Sequence, residues 1–293
     1  MREIVQALQR IPVPELEKLA RKLRYEILKM ITVAESGHPG GSLSVIDMVL
    51  TLYSGEMHFD ASNPKWDMRD RFVLSKGHAV PALYAVMAHY GFFPEDELWT
   101  LRKLGSPLQG HPANALLPGI EASTGSLGQG LSMAQGMALA ARIKAQQAKK
   151  SEPLFHVYAI LGDGEQQEGQ IWEAAMSAAH HKIDNLTVFT DRNLAQIDGL
   201  VKDVMSEVSL VDKWSAFGWH VQEIDGHNIG QIREACDKAR AEKGRPSMII
   251  ANTIKGKGVS FLEKDIVGWH GKALNDAQLE AARLELLGEN AHD

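Results

Sequence analysis

The stretch HVYAILGDGEQQEGQIWEAAMSAAHHKIDNLTVFTDRN, residues 156–193, contains the pattern that decides the fold. The apolar runs at 156–161 and 185–190 are typical of buried strands. Between them, small and apolar residues recur at helical spacing behind an acidic start, which predicts a helix. A strand, a helix and a second strand in this order form a βαβ unit, so the two strands are expected to be parallel neighbours in one sheet.

Polar residues follow both predicted strands. Gly162, Asp163 and Gly164 come after the first, and Asn193 comes after the second. The carboxyl ends of parallel strands share one sheet edge, where open α/β sheets bind their ligands. Asp163 and Asn193 offer one charged and one neutral oxygen to Mg²⁺, and the glycines let backbone N–H groups approach a phosphate. Asp-Gly also forms hairpin turns, but here a helix follows instead of a strand. The pattern therefore predicts a diphosphate cofactor held through a divalent cation.

The segments around these positions resemble transketolases. Similar segments occur in the same order from about Ser36 to Lys272: SGHPG at 36–40, DRFVLSKGH at 70–78, GHP at 110–112, TGSLGQG at 124–130, GDGEQQEG at 162–169, DRNLAQIDG at 191–199, TIKGKG at 253–258 and WHGK at 269–272. The resemblance implies thiamine diphosphate as the cofactor, with Mg²⁺ or, as a substitute, Ca²⁺ or Mn²⁺. It implies transfer of a two-carbon ketol group from a ketose phosphate to an aldose, as in the pentose phosphate pathway.

The resemblance also implies roles for individual residues. His38, His111 and His270 would be catalytic, binding substrate hydroxyls and stabilising the oxyanion or shuttling protons to it. The cofactor would be bound by His78, Gly125, Leu127, Gly162, Gly164, Asn193 and Lys255, and the metal by Asp163, Asn193 and the backbone carbonyl of Ala195. Lys272 would lie in the substrate or phosphate region, and Glu168 and Glu173 at a subunit interface, in a proton relay.

Alternatives stay open for some of these residues. Lone lysines are mostly solvated, which is the other interpretation of Lys255 and Lys272. Glu168 is equally compatible with an ordinary place at a helix start. Some transketolases carry a second histidine shortly before the one matching His270, and this chain has Val267 and Gly268 there instead. Any role that needs two histidines is therefore open to question, and Lys272 gains interest.

The glycine-rich segment 125–130 invites a different interpretation, because glycine-rich loops that open helices also bind dinucleotides. Its spacing is Gly-x-x-Gly-x-Gly, which differs from the Gly-x-Gly-x-x-Gly fingerprint. No convincing strand directly precedes it. A nicotinamide-binding function is therefore disfavoured.

The whole chain, residues 1–293, is expected to form one cofactor-binding domain with a doubly wound, mostly parallel sheet flanked by helices. Further strands are predicted near 71–75, 220–224 and 247–251, a helix over Pro14 to Glu35, and another beginning at Ser44 as a capping box. The net charge of −6 and the scattered basic residues argue against nucleic-acid binding. No apolar run approaches membrane length and no signal peptide is evident, so the cytoplasm is expected. Cys236 is the only cysteine, which excludes an internal disulfide.

The transketolase family activates its cofactor with a glutamate that lies in a second, pyrimidine-binding domain. That domain and the carboxy-terminal domain are not recognisable in this chain. We therefore expect the amino-terminal subunit of a split transketolase, active only with a carboxy-terminal subunit, for example as an α₂β₂ assembly. Two alternatives are a thiamine-dependent relative with other substrates, similar to deoxyxylulose-phosphate synthase or a sulfosugar transketolase, and a cofactor-binding subunit without turnover.

Overall fold

A computed structural model of the chain describes residues 10–205 and 208–289. The longer helices are α1 (Val13–Val33), α2 (Pro39–Tyr53), α3 (Val80–His89), α4 (Gln129–Gln147) and α5 (Gly169–His180), followed by α6 (Val201–Val204), α7 (Leu210–Ala216), α8 (Ile229–Ala241), α9 (Ser260–Lys264) and α10 (Asp276–Leu287). Short 3₁₀ helices lie at Gly77–Ala79, Glu95–Thr100 and Gly164–Gln167. Within the described residues, no helix is both long and apolar enough to span a membrane.

The described part of the chain contains seven strands: β1 (Arg71–Leu74), β2 (Val157–Gly162), β3 (Leu186–Arg192), β4 (Ala195–Gln196), β5 (Gly199–Leu200), β6 (His220–Asp225) and β7 (Ser247–Asn252). Five of them form a parallel sheet in the order β1-β2-β3-β7-β6. Strands β4 and β5 pair as a small antiparallel hairpin. The five strands predicted from the sequence are those of the parallel sheet, whereas the hairpin was not predicted because each of its strands is only two residues long.

Helices cover both faces of the sheet. Apolar residues of β2 alternate between the faces: Tyr158 and Ile160 pack with α1, α2, α3, α8 and α10, while Ala159 and Leu161 pack with α4, α5 and α7. Every residue of β2 is buried, as expected of a strand enclosed by two helical layers. The prediction of a doubly wound α/β fold is confirmed, and the layers leave the strand ends as the places where polar groups gather.

One helix boundary was predicted wrongly. Helix α2 begins at Pro39, with His38 at its N-cap, and not at Ser44. Proline suits the first turn because its missing N–H would have no partner there. Ser44 instead lies inside the helix, fully buried, with its hydroxyl 2.6 Å from the carboxylate of Asp191 on β3. The polar residue that suggested a cap therefore belongs to the site described next.

Candidate active site

The end of β2 lies beside the end of β3. Gly162 is in register with Asp191, and the next residue, Asp163, starts the short 3₁₀ helix. The Asp163 carboxylate accepts hydrogen bonds from the backbone N–H groups of Gly164 at 2.8 Å and Leu194 at 2.6 Å. Burial, reinforced by the charge of Asp191, raises the pKa of Asp163 to about 6. In the described part of the chain it forms no ion pair with a cationic side chain, so its negative charge is left for a bound cation.

The other two predicted metal ligands lie in the turn after β3. The side-chain nitrogen of Asn193 donates to Asp191 at 2.8 Å, which fixes the orientation of the amide, and its oxygen is 3.3 Å from the N–H of Ala195. Leu194 between them has a φ of 66°, a left-handed conformation that is uncommon for leucine. Lys255 donates to the carbonyl of Ala195 at 3.1 Å. This tight turn places the Asn193 side chain and the backbone of Ala195 at the same cavity.

Sequence reasoning missed the charged pair beneath these ligands. Asp191 is fully buried and accepts from Lys76 at 2.5 Å, from Ser44, from Asn193 and from Thr253. Burial opposes ionisation, but the Lys76 ammonium and the hydroxyl donors hold the pKa of Asp191 below its usual value. Lys76 and Asp191 both lie in segments that resemble those of transketolases. Only the structure shows that they are buried at adjoining strand ends and form an ion pair.

A cavity of about 260 Å³ opens at this edge of the sheet. It brings together most of the predicted cofactor and metal residues. Its lining includes Lys76, His78, Leu127, Gly162, Asp163, Gly164, Glu165, Glu168, Asn193, Ala195, Lys255 and His270. Of the predicted cofactor-binding residues, Gly125 is absent from this lining.

Four histidine rings gather beside the cavity. The ring centroid of His38 lies 5.1 Å from that of His78, 5.4 Å from His270 and 6.3 Å from His111, and those of His78 and His270 are 5.2 Å apart. Burial, reinforced by nearby cations, lowers the pKa of His38 to about 4 and that of His270 to about 3. It also lowers the pKa of His78 and His111. At neutral pH the cluster therefore consists of uncharged imidazoles, each able to donate one hydrogen bond and accept another.

The proton position on His270 follows from its neighbour. The Lys255 ammonium has only donors, and it lies 2.9 Å from Nδ1 of His270. Nδ1 must therefore accept, so the neutral ring carries its proton on Nε2. Lys255 is buried, in agreement with a site role and against the alternative of a solvated lysine. Burial, followed by the nearby charge of Lys76, lowers the pKa of Lys255 to about 8.

The glycine-rich segment before α4 closes the site on one side. Gly125 has a φ of +130°, and a Cβ there would lie 2.7 Å from the ring of His111, so this position requires glycine. The buried carboxylate of Glu165 accepts from the N–H groups of Gly128 and Gly162 at 2.9 Å each, tying this segment to the end of β2. Gly125 therefore packs on the ring of His111, while Leu127 reaches the cavity itself.

Three predicted residues are exposed in this chain. The ammonium of Lys272 lies 5.0 Å from the centroid of the Trp269 ring, and the side chain is not part of the cavity lining. Glu173 projects from the outer face of α5, away from the cavity lining. Glu168 is also exposed but borders the cavity. The interface role predicted for the two glutamates stays a prediction.

The side chains present fit a diphosphate bound through a divalent cation. Within the described residues, no group of three or more histidine, cysteine or acidic side chains is arranged to hold a metal. Mg²⁺ does not need such a group, because it combines one or two protein side chains with phosphate oxygens and water. Asp163 supplies a buried carboxylate without an ion-pair partner, and Asn193 and Ala195 supply neutral oxygens at the same cavity.

Residues 16–292 match the family described as the transketolase, thiamine diphosphate binding domain. The chain belongs to the transketolase family. It is 46% identical over 283 residues to a 6-deoxy-6-sulfo-D-fructose transketolase subunit of Clostridium sp. strain MSTE9, covering 97% of this chain and 99% of that protein. It is 40% identical over 274 residues to an apulose-4-phosphate transketolase subunit of Phocaeicola vulgatus, covering 94% of each.

Longer transketolases share the fold. The chain superposes on a transketolase of Pichia stipitis with a TM-score of 0.86 and 32% identity, covering 93% of this chain and 41% of that one. For a transketolase of Leishmania mexicana the TM-score is 0.86, the identity 31% and the coverage 95% and 42%. Human transketolase is 40% identical over 261 residues, or 88% of this chain and 40% of that protein. The transketolase subunit described here thus spans about two fifths of these longer relatives.

Proposed function

We propose that this transketolase subunit works with a separate carboxy-terminal subunit to transfer a two-carbon ketol group from an anionic ketose to an aldose. The single observation that carries the proposal is the cluster of four neutral histidines beside the cavity that contains Asp163. An activated carbonyl needs donors near a developing oxyanion, and a uniformly neutral cluster offers donors without a competing positive charge.

Thiamine diphosphate and Mg²⁺ are the cofactors that this site would hold. Asp163, Asn193 and the carbonyl of Ala195 would bind the metal, and Lys255 and Lys76 would balance the charge of the diphosphate. Bound thiamine diphosphate supplies a nucleophilic carbon and then an electron sink. The metal would also offset the cost of burying the ionised Asp163 carboxylate, whose pKa is raised by that burial.

The histidines would handle the substrate. His270 holds its proton on Nε2 because Lys255 occupies Nδ1, so it presents a donor to an oxygen in the cleft. His38 has a buried Nδ1 without a hydrogen-bond partner among the described residues, which leaves that atom for a ligand hydroxyl. His111 is the most accessible of the four and stands on the Gly125 side. His38, His111 and His270 would bind donor hydroxyls and stabilise the oxyanion, while His78 lies against the cofactor cavity.

The partner is proposed from the extent of the relatives. Three relatives that this chain covers almost completely, at 99%, 94% and 97% of their length, are all named as subunits. The longer transketolases contain about 2.2 times as much chain, since 261 residues of this chain correspond to 40% of the human protein. The exposed Leu127 and Glu168 at the cavity mouth are suited to contact a covering subunit.

The substrate is proposed by class only. A phosphorylated ketose is the expected donor, in line with the names of the apulose-4-phosphate relatives. A ketose sulfonate is the second candidate, favoured by the 46% identity to the sulfofructose transketolase subunit. Both donors carry a terminal anion, which the exposed Lys272 beside Trp269 is placed to attract.

The test is reconstitution. The purified chain is mixed with its carboxy-terminal subunit, thiamine diphosphate and Mg²⁺, and ketol transfer is followed with phosphorylated and sulfonated ketoses in parallel. We expect turnover only in the mixture, because the chain alone leaves the cleft open to water. Turnover by the partner-free chain at an ordinary rate of about 1–10³ s⁻¹ would contradict the subunit proposal. Cofactor binding without transfer from any ketose in the mixture would contradict the reaction.

A further inference from the structure

His227 is a histidine outside the active-site cluster. It does not line the 260 Å³ cavity, and its ring does not contact those of His38, His78, His111 or His270. His227 follows β6, in the loop before α8, and its ring is mostly buried. Its Nδ1 lies 2.7 Å from Oδ2 of Asp47 on α2, and its Nε2 lies 2.8 Å from the backbone nitrogen of Ile254. The ring therefore connects the helical layer to the loop after β7.

The two contacts determine where the proton of His227 resides. A backbone N–H can only donate, so Nε2 accepts from Ile254 and is unprotonated. The proton is then on Nδ1, where it is donated to Asp47. Arg24 also donates to Oδ2 of Asp47 at 2.5 Å, and despite burial it holds the pKa of that carboxyl below its usual value. A buried, ionised carboxylate thus fixes the tautomer and the orientation of the imidazole.

The peptide held by His227 carries the site lysine. Ile254 stands between Thr253, which donates to Asp191, and Lys255, which donates to Ala195 and His270. The side chain of Ile254 is 40% exposed, so apolar packing does little to fix this peptide. Its position depends mainly on hydrogen bonds from the loop backbone, one of them to His227.

We propose that His227 is a positioning residue that sets the proton position on His270 through Lys255. The chain of contacts runs from Asp47 to His227, to the N–H of Ile254, to the Lys255 ammonium and to Nδ1 of His270. If the loop shifts, Lys255 no longer occupies Nδ1, and His270 is free to move its proton there and to lose the donor on Nε2. The inference about the tautomer rests on the geometry alone, and its catalytic consequence rests on the proposed function.

The first arm of the test measures the tautomer in the free chain by ¹⁵N NMR of the imidazole nitrogens, with His270→Gln used to assign the signals. In the unmodified chain we expect His270 to show the Nε2–H form. In His227→Ala we expect a mixture of tautomers. In His227→Gln, whose amide oxygen can still accept from Ile254, we expect the Nε2–H form to return. An unchanged tautomer in His227→Ala overturns the inference.

The second arm measures steady-state kinetics of the reconstituted enzyme at saturating cofactor. Loss of a partner that orients a metal-bound histidine typically costs about 10- to 100-fold in activity, and we expect a cost of the same order here. We expect kcat of His227→Ala to fall by that factor with little change in donor KM, because the lost contact does not touch the bound substrate. His227→Gln should recover most of the rate. The matched control is His220→Ala on β6, whose ring hydrogen-bonds Ser247 and does not line the cavity, so it should leave kcat and the tautomer unchanged.

The two arms separate the possible failures. If the tautomer of His270 changes in His227→Ala and kcat does not, the positioning inference holds and the catalytic role proposed for His270 is wrong. If kcat falls equally in His227→Ala and His227→Gln while the tautomer is constant in both, His227 acts only through stability, and the positioning inference is wrong.

Discussion

Strand β2 separates two polar regions that look alike in composition and behave differently. At its amino end, His156, Asp70 and Glu56 border a cavity of about 600 Å³. At its carboxyl end, Asp163, His78 and His270 border a cavity of about 260 Å³. In the larger cavity the charged groups already pair with one another. The volume of a cavity therefore does not identify the functional site.

The groups at the amino end are paired within the chain. Glu56 is buried and contacts Arg10 at 2.8 Å and Arg240 at 2.7 Å. Asp70 accepts from the backbone N–H groups of His58 and His156 at 2.8 and 2.7 Å. Burial of polar groups is tolerated when each has a partner, and these partners are already present. This end of the sheet is a stabilising network.

The groups at the carboxyl end are arranged differently. Asp163 is buried without an ion-pair partner in the described residues, and His38 keeps an unbonded nitrogen. Their pKa values, raised to about 6 for the acid and lowered to about 4 for the base, both reflect charges that burial disfavours. At neutral pH the ionised Asp163 carries a charge that burial disfavours, which costs stability in the free chain, and a bound cation would offset that cost. Substitutions at the carboxyl end of β2 are therefore expected to change ligand binding or turnover, and substitutions at the amino end are expected to change stability.

The largest effect is expected from the histidines. Alanine at His38, His111 or His270 should each lower turnover of the reconstituted enzyme by roughly 10²- to 10⁴-fold, because each removes a proton-transfer or oxyanion partner. Thiamine diphosphate affinity should change little. Steady-state kinetics at saturating cofactor measure the first quantity and calorimetry the second. Ordinary turnover in all three variants would leave the carboxyl end without a catalytic role.

The second effect concerns Asp163. Gly164 and Leu194 donate to different oxygens of the Asp163 carboxylate, so asparagine there keeps an acceptor for only one of these N–H groups and removes the charge that a cation needs. We expect affinity for thiamine diphosphate with Mg²⁺ to fall by about 100-fold, or roughly 2.7 kcal/mol. The free energy of unfolding of the free chain should change by less than about 1 kcal/mol, because the lost hydrogen bond and the relieved burial of a charge oppose each other. Calorimetry of binding and urea unfolding give the two values. Unchanged Mg²⁺-dependent affinity would remove the basis for the metal site.

Much of the site at the carboxyl end of β2 could be predicted from the sequence. The βαβ unit ending at Gly162 and Arg192 follows from periodicity alone, and Asp163 and Asn193 follow from their places at the strand ends. Lys76 and Asp191 were not singled out, because a buried lysine looks like a surface one until its partner is known, and Ser44 was interpreted as a helix cap. The link from Asp47 through His227 to Ile254 was equally hidden, since it joins three separate segments and one of its donors is a backbone N–H.

The third prediction concerns the amino end of β2, where we expect a loss of stability without a loss of cofactor affinity. Glu56→Gln at the amino end removes the buried carboxylate that Arg10 and Arg240 share and leaves them with the more exposed Asp237. Removing one partner of a buried ion pair costs several kcal/mol, but the arginine side chains are 35% and 32% exposed, so we expect the free energy of unfolding to fall by about 2 kcal/mol. Cofactor affinity should be retained, which calorimetry on the folded variant would check. A loss of affinity without a loss of stability would break the proposed division.

The smallest effect is a pH dependence at the amino end. Burial lowers the pKa of His156 to about 4, against an ordinary value of about 6.5. Between these values the unfolded chain binds a proton that the folded chain does not, so stability falls as the pH falls. Because the ring is partly open to the amino-end cavity, we expect His156 to contribute about 1 kcal/mol of stability loss between pH 6.5 and 5.

His156→Gln tests this pH dependence, because it removes the titrating group and keeps an amide for Thr187. Urea unfolding of this variant should show a shallower decline of stability with acid. Parallel pH curves for the two proteins would contradict the prediction. Adding thiamine diphosphate and Mg²⁺ should stabilise both proteins equally at each pH, because the ligands bind at the opposite end of β2.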